Sequence, residues 1–200
     1  MLIALIRHGP TEWNAQHRVQ GTVDTPLSES GRAKMAGLLP PEGFETARPF
    51  VSPKLRARQT AELLGLANAT VDERLAEQNW GGWEGLTRAE MLARDGADCF
   101  MRARSGLDFR PPGGESTGEL QARVRNFLHD VAKTNESAVA VTHMGVLRSA
   151  YAMATGWDMA TPMPSDLDLT AALVLSLDAG GTAAIAQLNA PLKPRTDRGA

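Results

Sequence analysis

Two short, wholly apolar runs constrain this chain most: LIALI at residues 2–6 and AVAVT at 138–142, each halted by a histidine with a glycine close behind. Neither run alternates apolar with polar residues. Both faces of each strand are therefore expected to be buried, as in a sheet covered by helices on either side. The intervening sequence supplies helices. A helical pattern over 28–39 stops at Pro40-Pro41, and a short strand at 50–52 precedes a helix over 55–64. Thr87-Arg-Ala-Glu90 and Ser116-Thr-Gly-Glu119 have capping-box form. Leu120, Val124, Phe127, Leu128 and Val131 recur at helical spacing, and a further helix is expected across 146–154. Strands alternating with helices give an α/β fold with a mostly parallel sheet. The end differs: apolar runs at 171–177 and 183–188 flank DAGGT, a hairpin signal, so at least one antiparallel edge strand is expected. The reading is one domain over 1–190 and a flexible tail over 191–200. The irregular stretch 95–115 is too long for a mere connection and reads as a cover over a site.

Composition narrows the function classes. Forty-two per cent hydrophobic residues in a chain of 200 suffice for one sizeable core. A net charge of −2 argues against a general nucleic-acid binder. The single cysteine, Cys99, excludes an intramolecular disulfide framework and a Cys-based zinc site. A spare thiol suits a reducing cytosol, and no apolar stretch approaches the roughly 20 residues of a membrane span. The expectation is a cytoplasmic protein with neither a membrane nor a nucleic-acid partner. Its oligomeric state is left open, a dimer among the alternatives.

In open α/β sheets, ligands bind beyond the carboxyl ends of the strands. Three strand ends here carry unusual residues: Arg7-His8-Gly9, Ser52-Pro53 running into Lys54, Arg56 and Arg58, and His143-Met144-Gly145. Two histidines and two or three arginines, with no carboxylate cluster beside them, favour an anion. The planar fork of arginine suits phosphate oxygens. Two arginines and a protonated histidine would balance a phosphoryl group without metal or cofactor, and a neutral imidazole is a nucleophile toward phosphorus. The pattern points to phosphoryl transfer through phosphohistidine.

LIRHGPTEWN, SPKLRARQTAE, EQNWGGWEG, PPGGES and VTHMGVLR, in that order, resemble the histidine phosphatase superfamily. The resemblance implies the phosphoglycerate mutase-like fold, a three-layer α/β/α sandwich. It implies His8 as the phosphorylated nucleophile and Arg7 and Arg56 as phosphate clamps. His143 would be the second histidine on the phosphoryl group, and Glu77 the proton donor to the leaving oxygen. Asn14, the Gln20-Gly21-Thr22 turn and the Met144 backbone N–H would lie around the phosphate. The compact shape favours the phosphatase branch that resembles α-ribazole phosphatase, acting on a small phosphate ester. The alternatives are a cofactor-dependent phosphoglycerate mutase-type transferase and a phospho-ligand- or protein-binding module with a vestigial site.

Glu84 is the rival acid, and its place beside Gly85 suggests a structural role. His17 and His129 read as surface residues. Gly9 is expected to keep a side chain away from the phosphate. Phe100, Met101, Leu107 and Phe109 in the cover suggest a partly apolar alcohol. Lys54, Arg58, Arg102, Arg104 and Arg110 are candidates for a second anionic group.

Overall fold

The computed structural model describes residues 1–97 and 105–195. β1 (Leu2–Arg7) lies inside a six-stranded sheet, flanked by β5 (Ala138–Thr142), parallel to it, and β6 (Ala172–Leu177), antiparallel to it. Beyond β5 come β3 (Arg48–Val51) and then β4 (Thr70–Val71), both parallel. β7 (Ala183–Ala190) forms the other edge as the hairpin partner of β6. The order is β4-β3-β5-β1-β6-β7. The antiparallel part is the expected hairpin at one edge of the sheet.

Successive residues of a strand point to opposite faces, and the sheet uses both. Ile3 and Leu5 of β1, with Ala138 and Ala140 of β5, pack in one core. There they meet Leu120, Val124, Phe127 and Leu128 of α5 (Thr117–Ala132) and Val146 and Leu147 of α6 (Met144–Thr155). Ala4, Ile6, Val139 and Val141 face the other way. They pack against Met35 of α2 (Glu29–Ala36) and Ala57 and Ala61 of α3 (Leu55–Leu63). Three layers result, as expected. Both capping boxes form: Thr87 opens α4 (Arg88–Asp95), and Ser116 opens α5. A one-turn helix, α1 (Glu12–Ala15), follows the first strand and is itself capped by Thr11 and Asn14.

Two segments depart from the sequence reading. The helix expected over 28–39 ends at Ala36 with Gly37 as its cap. Leu38–Leu39 become β2, which pairs with β8 (Lys193–Pro194). The tail expected to be flexible from residue 191 is pinned as far as Arg195. Its N–H donates to Gly37 O (2.8 Å), its Nε to Ala36 O (3.0 Å) and its Nη2 to Leu63 O (2.8 Å). One guanidinium therefore satisfies carbonyls at the C-termini of α2 and α3, a long-range cap that no local pattern announces. Among the described residues, no helix is long and apolar enough to cross a membrane.

Candidate active site

The parallel strands β1, β3 and β5 end side by side. His8 N–H donates to Thr142 O (2.8 Å) and Ser52 N–H to Val141 O (3.0 Å), so the residues leaving these strands are locked in register. A cleft of about 470 Å³ opens over this edge, lined by Arg7, His8, Asn14, Gln20, Gly21, Arg56, Glu77, Trp80 and Met144 among others. Residues far apart in sequence thus share one wall.

His8 is 6% exposed. Its Nδ1 lies 2.7 Å from Gly9 O. A carbonyl only accepts, so the proton sits on Nδ1 and the Nε2 lone pair is free. Burial pushes the His8 pKa down to about 3, with the charges of Arg56 and Arg7 adding to the effect and the Gly9 bond opposing it. His143 is fully buried, its ring centroid 5.1 Å from that of His8. Its Nε2 is 2.7 Å from Ser52 Oγ, which also accepts the Lys54 N–H (3.3 Å). Ser52, at the end of β3, thereby holds the His143 ring in place beside His8. The His143 Nδ1 is buried and has no partner. Burial first, and the neighbouring positive charges second, hold His143 well below the usual histidine range. The free site therefore holds two neutral imidazoles, where the sequence reading allowed for a protonated one.

Arg56 is completely buried at the start of α3. It donates through Nη1 to Val23 O and through Nη2 to Gly21 O, both at 2.9 Å, while its Nε has no partner. The Nε of half-buried Arg7 is likewise buried and unpartnered. Burial lowers both guanidinium pKa values, and the charge of Glu77 opposes the shift in each. Unsatisfied buried donors are costly and mark a place where an acceptor belongs. Two of them belong to Arg7 and Arg56, both of which line the cleft, and they mark it as an anion site.

Glu77 lines the same cleft as Arg7 and Arg56. Its Oε1 accepts from Gln78 N–H (2.9 Å) and from Gly145 N–H at the start of α6 (3.1 Å). A β-carbon on Gly145 would lie 2.3 Å from Glu77 Oε1, so the glycine is what admits the carboxylate. The loop carrying Glu77 is held by Arg123, which donates to Arg74 O and Ala76 O (2.7 Å each) and to Glu77 O (3.2 Å). Glu115 orients Arg123 with two bonds, Nε to Oε1 (2.7 Å) and Nη2 to Oε2 (2.9 Å). This clamp was not legible in the sequence, although Glu115 stands in the PPGGES motif.

The model of the histidine phosphatase superfamily (branch 1) matches residues 3–190. The chain belongs to this superfamily. Phosphoglycerate mutase-like protein 4 of Arabidopsis thaliana is 32% identical over 160 residues, 74% of this chain and 69% of that protein. Glucosyl-3-phosphoglycerate phosphatase of Mycobacterium tuberculosis is 32% identical over 164 residues, 75% and 73% of the two chains. A mycobacterial glucosyl-3-phosphoglycerate phosphatase solved with VO3 superposes with a TM-score of 0.78 at 28% identity, covering 94% of this chain and 98% of the other. Two curated 2,3-bisphosphoglycerate-dependent phosphoglycerate mutases also match, and this chain spans 62% of the length of each.

Within this histidine phosphatase site, the expected residues fall into two sets. Arg7, His8, Asn14, Gln20, Gly21, Arg56, Glu77 and Met144 line the cleft, with His143 beneath them. Asn14 Oδ1 takes the Thr11 N–H and Gln20 Oε1 takes two threonine hydroxyls, which leaves their amide nitrogens to donate. Met144 N–H is a first-turn donor of α6 with no intrahelical partner. Thr22 is placed differently. It is exposed, and its N–H and Oγ both donate to Glu84, at 2.7 and 2.8 Å. Glu84 also takes Val23 N–H and Trp80 N–H, which makes it the tie between the 20–23 turn and the tryptophan loop. Gly21, at φ +55, runs so close to Glu84 that a β-carbon would lie 2.0 Å from Oε1.

The other expectations sort by burial. Gly9 does not serve to clear the phosphate: a β-carbon there would meet Met35 Cγ at 2.5 Å, so α2 packing requires the glycine. Trp83 is core, whereas Trp80 lines the cleft. His17 is exposed at the cleft mouth, and His129 is exposed beside Asp130. Lys54 Nζ donates to Thr22 O (2.7 Å), Arg58 is exposed over a separate cavity, and Arg110 pairs with Glu119. Phe109 is buried between Trp80 and Trp83, while Leu107 is exposed. Cys99, Phe100, Met101, Arg102 and Arg104 lie outside the described residues.

Proposed function

We propose that this histidine phosphatase is a phosphomonoesterase that hydrolyses a small phosphorylated metabolite through a phosphohistidine on His8. The observation that carries the reading is the His8 tautomer. The Nδ1 proton is committed to Gly9 O, and the Nε2 lone pair stands in a cleft lined by Arg7 and Arg56, each with an unpartnered Nε–H, with the His143 ring 5.1 Å away. Relatives named glucosyl-3-phosphoglycerate phosphatase and phosphoserine phosphatase 1 support it.

In the first step Nε2 attacks phosphorus in line and the P–O bond to the leaving group breaks. Glu77 delivers a proton to the departing oxygen. Arg7, Arg56 and His143, with the Asn14 and Gln20 amides and Met144 N–H, take the charge on the non-bridging oxygens. In the second step a water gives its proton to Glu77 and its oxygen attacks phosphorus. The N–P bond breaks, and phosphate and neutral His8 are restored. No metal enters either step. On the leaving-group side Gly106 and Phe109 lie beside Glu77, which supports a covering role for the described residues 105–115. The single cysteine supports a cytoplasmic setting.

The test is hydrolysis of p-nitrophenyl phosphate near pH 6 by wild type and His8→Ala, with and without chelator. Wild-type turnover that survives chelator and falls on the order of 10⁴-fold or more in His8→Ala is expected. Turnover that chelator abolishes, or that His8→Ala retains, refutes the mechanism. Absence of wild-type turnover directs the next assay to phosphoryl transfer between glycerate phosphates, because mutases stand among the relatives.

A further inference from the structure

Arg148 stands next to the cleft and takes no part in the chemistry above. It lies one helical turn beyond Met144 on α6. Its Nε is buried without a hydrogen-bond partner, and its guanidinium stacks 5.4 Å from the centre of the Trp157 ring. Among the described residues it forms no ion pair. Burial lowers its pKa, with only the charge of Glu77 opposing. A guanidinium in such a position is expensive unless an anion completes it.

The space in front of it is defined. Arg148, Gln78, Gly106, Phe109, Leu120 and Met159 are among the residues around a small cavity of about 80 Å³. Glu77, Trp80 and Met144 line both this cavity and the main cleft, so the two adjoin at the proton donor. The leaving group must emerge from phosphorus on that side. Four residues of helix rise separate Met144 from Arg148, roughly 6 Å, which suits a linker of a few bonds.

We propose that Arg148 binds a carboxylate on the leaving alcohol, so that this enzyme prefers short phosphate esters bearing a carboxylate a few bonds from the ester oxygen. The inference rests on the phosphatase reading. A stacked guanidinium presents its N–H edge in a fixed plane, which matches a carboxylate. One unpaired cation and a cavity this small fit a monoanion of two or three heavy atoms. The apolar walls of Phe109, Leu120 and Met159 strengthen the pairing by excluding water. An arginine at the end of VTHMGVLR otherwise reads as an ordinary exposed helix residue.

The experiment compares 2-phosphoglycolate with ethyl phosphate, which carries a methyl where the former carries its carboxylate. p-Nitrophenyl phosphate is assayed alongside. Wild type should favour phosphoglycolate by roughly 10- to 100-fold in kcat/KM, the worth of a charge-assisted hydrogen bond. Arg148→Met keeps the apolar stem and removes the charge. It should collapse that ratio to within a few fold, with the loss mainly in KM, and Arg148→Lys should restore part of it. An unchanged ratio in Arg148→Met, or an equal loss on both esters, overturns the assignment. Wild-type hydrolysis of the aryl phosphate without a preference for phosphoglycolate overturns it alone. Failure on all three esters overturns the phosphatase reading and this inference together.

Discussion

The two halves of the cleft are built by different means. The phosphate half hangs on strand ends. His8, Ser52 and His143 each leave a parallel strand; His8 and Ser52 are fixed by their own N–H bonds, and His143 by the bond to the Thr142 carbonyl before it. The leaving-group half hangs on loops. Glu77, Gln78 and Trp80 follow a short turn and are held by Arg123 and Glu115, 46 and 38 residues further along the chain than Glu77. A sheet edge places side chains with little freedom to drift, whereas a clamped loop is as rigid as its clamp. The phosphate half should therefore serve every phosphate ester alike, and the other half should discriminate among alcohols.

The largest effect expected inside the site, after loss of the nucleophile, comes from Arg56→Met. It removes a buried donor at the phosphate and the anchor of the Gly21 and Val23 carbonyls. A drop in kcat on the order of 10²–10³ is expected, of similar size for aryl and alkyl phosphates. Arg56→Lys should not rescue it, because an ammonium lacks the fork. A loss confined to alkyl esters would break the division between the halves.

Arg123→Met tests the other half. With the clamp gone, Glu77 loses its position but keeps its chemistry. Aryl oxides depart with little need of a proton, whereas alkoxides need one. Alkyl phosphate turnover should fall roughly 10- to 100-fold further than that of p-nitrophenyl phosphate. Gly145→Ala should show the same signature, because its β-carbon would displace the carboxylate. Equal losses on both substrates would make Arg123 a stability residue and nothing more.

The smallest effect concerns the phosphate half alone and is read as stability. Burial holds the His8 pKa at about 3, and in the unfolded chain it returns to its usual value of about 6.5. Between those values the unfolded state binds the proton and the folded state does not. Stability is therefore whole above pH 6.5 and falls as pH drops toward 3, by up to about 1.4 kcal/mol per unit from this group. Denaturant midpoints from pH 7 to 4.5 should decline less steeply in His8→Gln than in wild type. Parallel slopes would place the His8 proton differently. The same shift keeps the nucleophile neutral, so turnover should persist well below pH 6.

How much was legible follows the same division. The two apolar runs predicted β1 and β5 within a residue, and the histidines that halt them lie side by side. Strand ends are local events, written where an apolar run meets a polar residue. Glu77 was found through a resemblance of motifs and not through any pattern of its own. Arg123 and Arg148 each occupy a helix position of the kind exposed arginines fill, and nothing local separates them from Arg125. Thr22 shows the converse. It belongs to a recognisable turn, but Glu84, 62 residues away, takes both its donors and turns it from the cleft.

By itself the sequence determined the layered α/β fold and the sheet edge at which two histidines meet, because strand burial and strand termination depend on near neighbours. Only the tertiary structure decided which donors stay unpaired, which acid is free and which is spent, and where a second anion fits. Those properties are sums over partners that the chain brings together from distant positions. A donor is free only after every other acceptor has been placed.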